Sequence, residues 1–278
     1  MGASFSVKPH MNSSCEPLHN ALKAKLARNE LALSMIVRLV RGIEIASIAR
    51  TAGLDSVYID LEHNSYSIDT TSQICMACLA VGVTPLVRIP GHDPALIARV
   101  LDGGALGIIA PHVESKADAK AIVQAAKYPP IGLRSYAASQ PFFHFRPVPA
   151  KDAILALNQA TMVVAMVESG AAVSSVDDIA SVDGIDMLLV GTNDLANDLA
   201  IAGELNHPRI REAYATVWQA CRKHGKALGI AGLGSQPEFT KELVEMGGRY
   251  ISIGSDLTIL LGGVTDKVKQ LRTAAERP

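Results

Sequence analysis

The stretch Val57-Tyr58-Ile59-Asp60-Leu61-Glu62-His63 begins as a β-strand and finishes in three ionisable side chains. Buried charge is costly unless it is paired, metal-bound or put to use. His63 is placed to act as general acid or base with Asp60 orienting it, and the alternative is a satisfied core histidine. Arg88 sits between Val87 and Ile89 and must meet an anion, either a structural carboxylate such as Glu62 or a substrate carboxylate. Glu168 closes Met162-Val163-Val164-Ala165-Met166-Val167-Glu168, where period two sets Met162, Val164, Met166 and Glu168 on one face. Asn193 and Asp194 stand at the end of the next apolar run. Two neighbouring carboxylates, Glu168 and Asp194, repel unless a cation lies between them. With open positions they suit Mg2+ or Mn2+. The competing reading has Asp194 capping a helix and Glu168 paired with a Lys or Arg. His112 and Asp256 also end apolar runs, and Asp256 reads as a helix cap.

Such groups need a frame that brings them together. Eight short apolar runs alternate with helical patterns, beginning near Leu31, Ser56, Thr84, Leu106, Thr161, Asp186, Ala227 and Tyr250. The helical patterns carry end signals. Asp93-Pro94 opens one, Ser115 caps another, and glycines or prolines stop them at Gly53, Pro129-Pro130, Gly225 and Gly247-Gly248. Eight strands alternating with helices point to an α/β protein with a closed (β/α)8 barrel, against an open doubly wound sheet as competitor. No G-x-G-x-x-G follows a strand, and Gly232-Leu233-Gly234 reads as a turn with close backbone approach. In a barrel the groups named above would all project from the C-terminal strand ends, where barrel enzymes do their chemistry. The segment from Gly132 to Asp152 reads as a long functional or interface loop, with His144 and Arg146 in it.

Composition bounds the class. The chain has 278 residues, 49% of them hydrophobic but only 4% aromatic, so Ala, Val, Leu and Ile must build the core. The net charge of −1 gives no basic footprint for nucleic acid. No apolar run approaches the roughly 20 residues that span a bilayer, so no stable membrane insertion is expected. Cys15, Cys75, Cys78 and Cys221 are too few for a disulfide scaffold, and Cys75-x-x-Cys78 reads as core packing in a helix. A cytoplasmic location is expected. Residues 1–16 read as a flexible leader, with Gly2 and Ser6 fitting a myristoylation pattern, and residues 17–278 as one barrel domain.

The motifs YIDLEH, LVRIP, YPPIGLRS, MVES and VGTNDL, in this order, resemble the HpcH/HpaI aldolase family, which takes in 2-keto-3-deoxy-acid aldolases and macrophomate synthase. The resemblance runs from about Leu31 to Leu261. It implies a (β/α)8 barrel, a homo-hexamer built as a trimer of dimers, and a C-terminal helix exchanged between subunits. It implies Mg2+, or Mn2+ or Co2+, on Glu168 and Asp194. It implies a 2-oxo acid carboxylate on Arg88 and on backbone N–H groups near Asn193 and Asp194, with His63 and Asp60 as the catalytic pair. The activity implied is metal-dependent cleavage of a 2-oxo-4-hydroxy acid to pyruvate and an aldehyde through enolpyruvate. Oxaloacetate decarboxylation or macrophomate-synthase-like chemistry would use the same enolate, and a silent ligand-binding barrel is the reading of another class. This chain departs from the pattern at Met166, where Gln is common, and at Gly191-Thr192-Asn193, where Gly-Pro is common. Both departures bear on the substrate more than on the enolate.

Overall fold

The computed structural model describes residues 18–275, so the expected leader, Cys15 and the Gly2 pattern lie outside the described residues. In chain order the elements are α1 (Ala21–Ala27), β1 (Ala32–Val37), α2 (Glu44–Thr51), β2 (Ser56–Asp60), α3 (Ile68–Val81), β3 (Thr84–Arg88), α4 (Pro94–Asp102), β4 (Gly107–Ala110) and α5 (Lys116–Ala126). After a 3-10 turn (Pro141–Phe143) come α6 (Ala150–Ala160), β5 (Met162–Val167), α7 (Gly170–Ser174), α8 (Val176–Ala180), β6 (Met187–Gly191) and α9 (Thr192–Asp198). The chain ends with α10 (Pro208–His224), β7 (Ala227–Ala231), α11 (Pro237–Met246), β8 (Tyr250–Ser255) and α12 (Asp256–Ala275).

All eight strands are parallel and close in sequence order into a barrel, which settles the fold against the open sheet. The closure shows in the side chains. Alternate residues Met162, Val164 and Met166 pack inward with Tyr58, Leu86, Ile109, Leu189 and Tyr250. Val163, Ala165 and Val167 face outward against the helices. Both faces of β2 to β6 are covered, so these strands read as continuous apolar runs and not as alternating ones. The helices begin where their sequences say. Ser67, Asp93 and Ser115 accept N–H groups of Thr70, Ala95 and Asp118. Cys75 and Cys78 are buried in α3, and burial pushes the Cys78 thiol up to about 12, as packing residues require.

Two features were not legible in the sequence. Helix α1 plugs the N-terminal end of the barrel. Leu22 is buried in the inner core, and Asn20 donates to the carbonyls of Leu106 and Ala160 at 3.3 and 2.8 Å. The expected long loop is interrupted by the 3-10 turn and passes into α6 at Ala150. A cavity of about 660 Å3 also lies at the N-terminal end, between α1, α10 and the starts of β5 and β7. Among the described residues no helix is long and apolar enough to cross a membrane.

Candidate active site

The strand register places the first pair. Asp60 and Arg88 are direct neighbours at the ends of β2 and β3. The guanidinium grips the carboxylate with both arms, Nε to Oδ1 at 3.0 Å and Nη2 to Oδ2 at 2.7 Å. Asp60 is fully buried, and its Oδ1 also accepts the N–H groups of Glu62 and His63 at 3.0 and 3.3 Å. Burial alone would raise the pKa of Asp60, but Arg88 and these N–H donors outweigh it and hold the carboxyl below the usual range. Glu62 Oε2 completes the cluster 2.9 Å from Arg88 Nη1, an ion pair and not an aligned hydrogen bond.

This geometry corrects one expectation and fills in another. Asp60 does not orient the His63 imidazole, because its carboxylate is spent on Arg88 and reaches His63 only through the backbone N–H. The strand ends at Asp60, so His63 lies beyond the ladder with its side chain half exposed. The acid nearest its ring is Glu62, whose Oε2 is 3.7 Å from His63 Nε2. Arg88 meets structural anions, one of the two readings its sequence position allowed: Asp60 takes the Nε–Nη2 fork and Glu62 lies at Nη1.

Across the rim, Glu168 follows β5 and is buried. Its Oε1 accepts the His112 N–H at 2.7 Å and lies 3.1 Å from His112 Nδ1. The other imidazole nitrogen, Nε2, lies 3.1 Å from Glu62 Oε1, so His112 bridges the two acids. His112 holds φ at +55°, an uncommon left-handed conformation for a non-glycine residue that carries both its N–H and its ring toward Glu168. Burial raises the Glu168 pKa, and Glu62 and Asp194 raise it further against the opposing pull of His112. Asp194 occupies the first turn of α9, exposed, and makes no capping bond there, so the expected cap is not formed. Asn193 packs beneath the Gly232 turn, where φ is +85° and a Cβ would come 2.8 Å from Asn193 Nδ2. The turn expected at Gly232-Leu233-Gly234 is thus present for the reason of close approach.

The donor set fits a hard divalent cation. Glu168 Oε2 lies over Gly191, where an added Cβ would stand 3.1 Å away, so the glycine keeps that side of the carboxylate open. Burial first, and Glu62 and Asp194 after it, raise the Glu168 pKa in spite of His112, and carboxylate oxygens of this kind suit a hard cation such as Mg2+ or Mn2+. Among the described residues no group of three or more His, Cys, Asp or Glu side chains forms a closed metal cage.

Sequence reading passed over two contributors. Arg38, directly after β1, has its Nε 3.3 Å from Asp60 Oδ2. Asp256 is more than a cap for α12. Buried, it accepts N–H groups from Arg38, Leu39 and Val40 at 2.8 to 3.1 Å and so pins the turn after β1. An Arg closing the apolar run of β1 was the available signal for the first. Only the ring closure of β8 onto β1 reveals the second.

Known proteins share the sequence pattern and fold of this chain. The family model for HpcH/HpaI aldolase/citrate lyase matches residues 33–262. The 4-hydroxy-4-methyl-2-oxoglutarate aldolase tasA of Hapsidospora irregularis is 38% identical over 250 residues, covering 89% of this chain and 93% of that protein. The 5-keto-4-deoxy-D-glucarate aldolase of Enterobacter sp. (strain 638) is 32% identical, covering 86% of this chain and 92% of the relative. The crystal structure of an HpcH/HpaI aldolase from Desulfitobacterium hafniense DCB-2 superposes with a TM-score of 0.84 at 32% identity, covering 94% of this chain and 98% of that one.

Proposed function

Because the chain belongs to the HpcH/HpaI aldolase/citrate lyase family, we propose that it is a divalent-metal-dependent aldolase cleaving a 2-oxo-4-hydroxy dicarboxylic acid between C3 and C4. The products are pyruvate and a carbonyl acid. The observation that carries this reading is the pairing of opposites at one rim. A buried carboxylate, Glu168, and a buried guanidinium, Arg88, held by Asp60 and Glu62, stand at strand ends of the same rim, with His112 bridging Glu62 to Glu168. The two curated relatives named above act on 4-hydroxy-4-methyl-2-oxoglutarate and 5-keto-4-deoxy-D-glucarate, both dicarboxylates, which supports the substrate class.

In this reading Glu168 and Asp194 hold the cation, and Mg2+ or Mn2+ there supplies Lewis-acid stabilisation of the enolate charge. The chain's own groups do the rest. Arg88 offers its charge to the carboxylate beside the keto carbon from between Asp60 and Glu62, and the first-turn N–H groups at Asn193 and Asp194 donate to it. His63, at the rim beside Glu62, takes the proton from the C4 hydroxyl. As the C3–C4 bond breaks, its electron pair moves into the C2–C3 enolate, and C4 becomes the carbonyl of the departing acid. A proton delivered to C3 then gives pyruvate. Met166 presents a methyl where a polar amide is common, its Cε 3.0 Å from where a Gly191 Cβ would be, so no amide competes for substrate oxygens there.

The chain would work as an assembly. Helix α12 leaves the barrel with Leu257, Leu260, Leu261, Val264 and Leu271 exposed, and such a stripe needs a partner. The reading places it against a second subunit by exchange, with three such dimers in a hexamer.

The test uses pyruvate alone. Protein with pyruvate and Mg2+ in D2O is expected to lose the methyl proton signal in NMR, and EDTA is expected to stop the loss. No exchange and no cleavage of 4-hydroxy-2-oxoglutarate would refute the reading.

A further inference from the structure

We propose that Arg38 reads the second carboxylate of the substrate and so sets the preference of this site for 2-oxo dicarboxylic over monocarboxylic acids; the proposal rests on the aldolase reading above. Its backbone is built to be still. The N–H groups of Arg38, Leu39 and Val40 all end on the buried Asp256 carboxylate. Asn64 Nδ2 donates to the Arg38 carbonyl, and Tyr66 OH donates to that of Val40 at 2.8 Å. A turn held from both sides presents its side chain from a fixed point, which a recognition group needs.

The guanidinium itself is barely engaged. Its Nη2 donates to the His63 carbonyl at 3.2 Å, its Nε stands 3.3 Å from Asp60, and the side chain is 36% exposed. Asp60 has no need of a second cation, since Arg88 already takes both of its oxygens. Nη1 of Arg38 makes no hydrogen bond among the described residues. The nearby Arg41 is turned away, its guanidinium 5.0 Å above the Tyr66 ring.

Position then assigns the ligand. Arg38 touches the acid it shares with Arg88 and the residue proposed to meet the C4 hydroxyl. A carboxylate attached at or beyond C4 falls beside His63 and hence on Arg38. Its planar fork of donors matches a carboxylate. Charge points the same way. Asp60 and Glu62 more than offset Arg88, and Glu168 and Asp194 add further negative charge. A dianionic substrate entering this rim requires a further cation, and Arg38, with Nη1 unbonded among the described residues, offers one.

The experiment compares kcat/KM for 4-hydroxy-2-oxoglutarate and 4-hydroxy-2-oxopentanoate, with Mg2+, in wild type, Arg38→Met and Arg38→Lys. The wild type is expected to favour the dicarboxylate. In Arg38→Met the ratio of the two values should fall by about tenfold or more, with KM for the dicarboxylate carrying most of the change. Arg38→Lys should recover part of the ratio, because it restores charge without the fork. Activity toward the monocarboxylate in the same sample reports folding. An unchanged ratio, or equal losses on both substrates, would overturn the proposal and leave the aldolase reading standing. A wild type that cleaves neither substrate and exchanges no pyruvate protons would remove both.

Discussion

At the scale of single residues the site is governed by which charge each group is given to neutralise. Asp60 was expected to serve a histidine and instead serves an arginine, because strand register sets it beside Arg88. Removing one partner of a buried ion pair leaves the other uncompensated, at about 3–5 kcal/mol. Asp60→Asn should therefore lower stability at pH 7 by about that amount in urea unfolding. The pH dependence follows from the depressed pKa of Asp60. Its folded value lies below the unfolded value of about 3.9, so its contribution is complete above that pH and disappears as pH falls through the folded value. The stability gap between wild type and Asp60→Asn should thus be full at pH 7 and shrink below about pH 4. A gap constant across that range would mean that Asp60 is not the ionised partner of Arg88.

At the scale of elements the junctions between strands and helices carry the chemistry. Gly191 closes β6 and precedes α9, with φ −85° and ψ 83°, values that any residue can adopt. Its use is room. A Cβ there would stand 3.0 Å from Met166 Cε and 3.1 Å from Glu168 Oε2. The methionine methyl can yield, whereas the carboxylate is held by His112. Gly191→Ala should therefore change unfolding stability of the metal-free protein by less than about 1 kcal/mol. It should also cut the rise in Tm produced by Mn2+, since ligand stabilisation follows the logarithm of concentration over Kd. An unaltered Mn2+ response would separate Glu168 from the metal. The junction of β8 with α12 works similarly through Asp256, which ties the first strand's exit to the last strand and so fixes Arg38 across the barrel seam.

At the scale of the whole molecule the last helix packs little of its surface on its own barrel. In α12 every residue after Asp256 is exposed, including Leu260 and Leu261 at 55% and 64%. Leu260→Glu with Leu261→Glu should reduce the mass in solution toward that of one chain, read by light scattering, while the circular dichroism of the barrel persists. A mass unchanged by these charges, or equal to one chain in the wild type, would refute assembly through α12.

What the sequence determined by itself was the frame and the cast. Eight β-branched runs separated by capped helices leave few topologies, and period two along β5 placed Glu168 inward with Met162, Val164 and Met166. The rim positions of Glu168, Asp194 and Arg88 and the packing role of Cys75 and Cys78 were legible because residue type and local spacing suffice for them. The pairings were not. Whether Arg88 meets Asp60, Glu62 or substrate depends on register between strands some 28 residues apart in the chain. The bridge made by His112 between Glu62 and Glu168 depends on a left-handed backbone and on three loops meeting. The hold of Asp256 on the turn before Arg41 spans more than 200 residues, with 216 separating it from Val40. Local sequence specifies which side chains stand at the rim, because periodicity and caps act over a few residues. Only closure of the barrel decides which charge faces which, because that is set by contacts between strands distant in the chain.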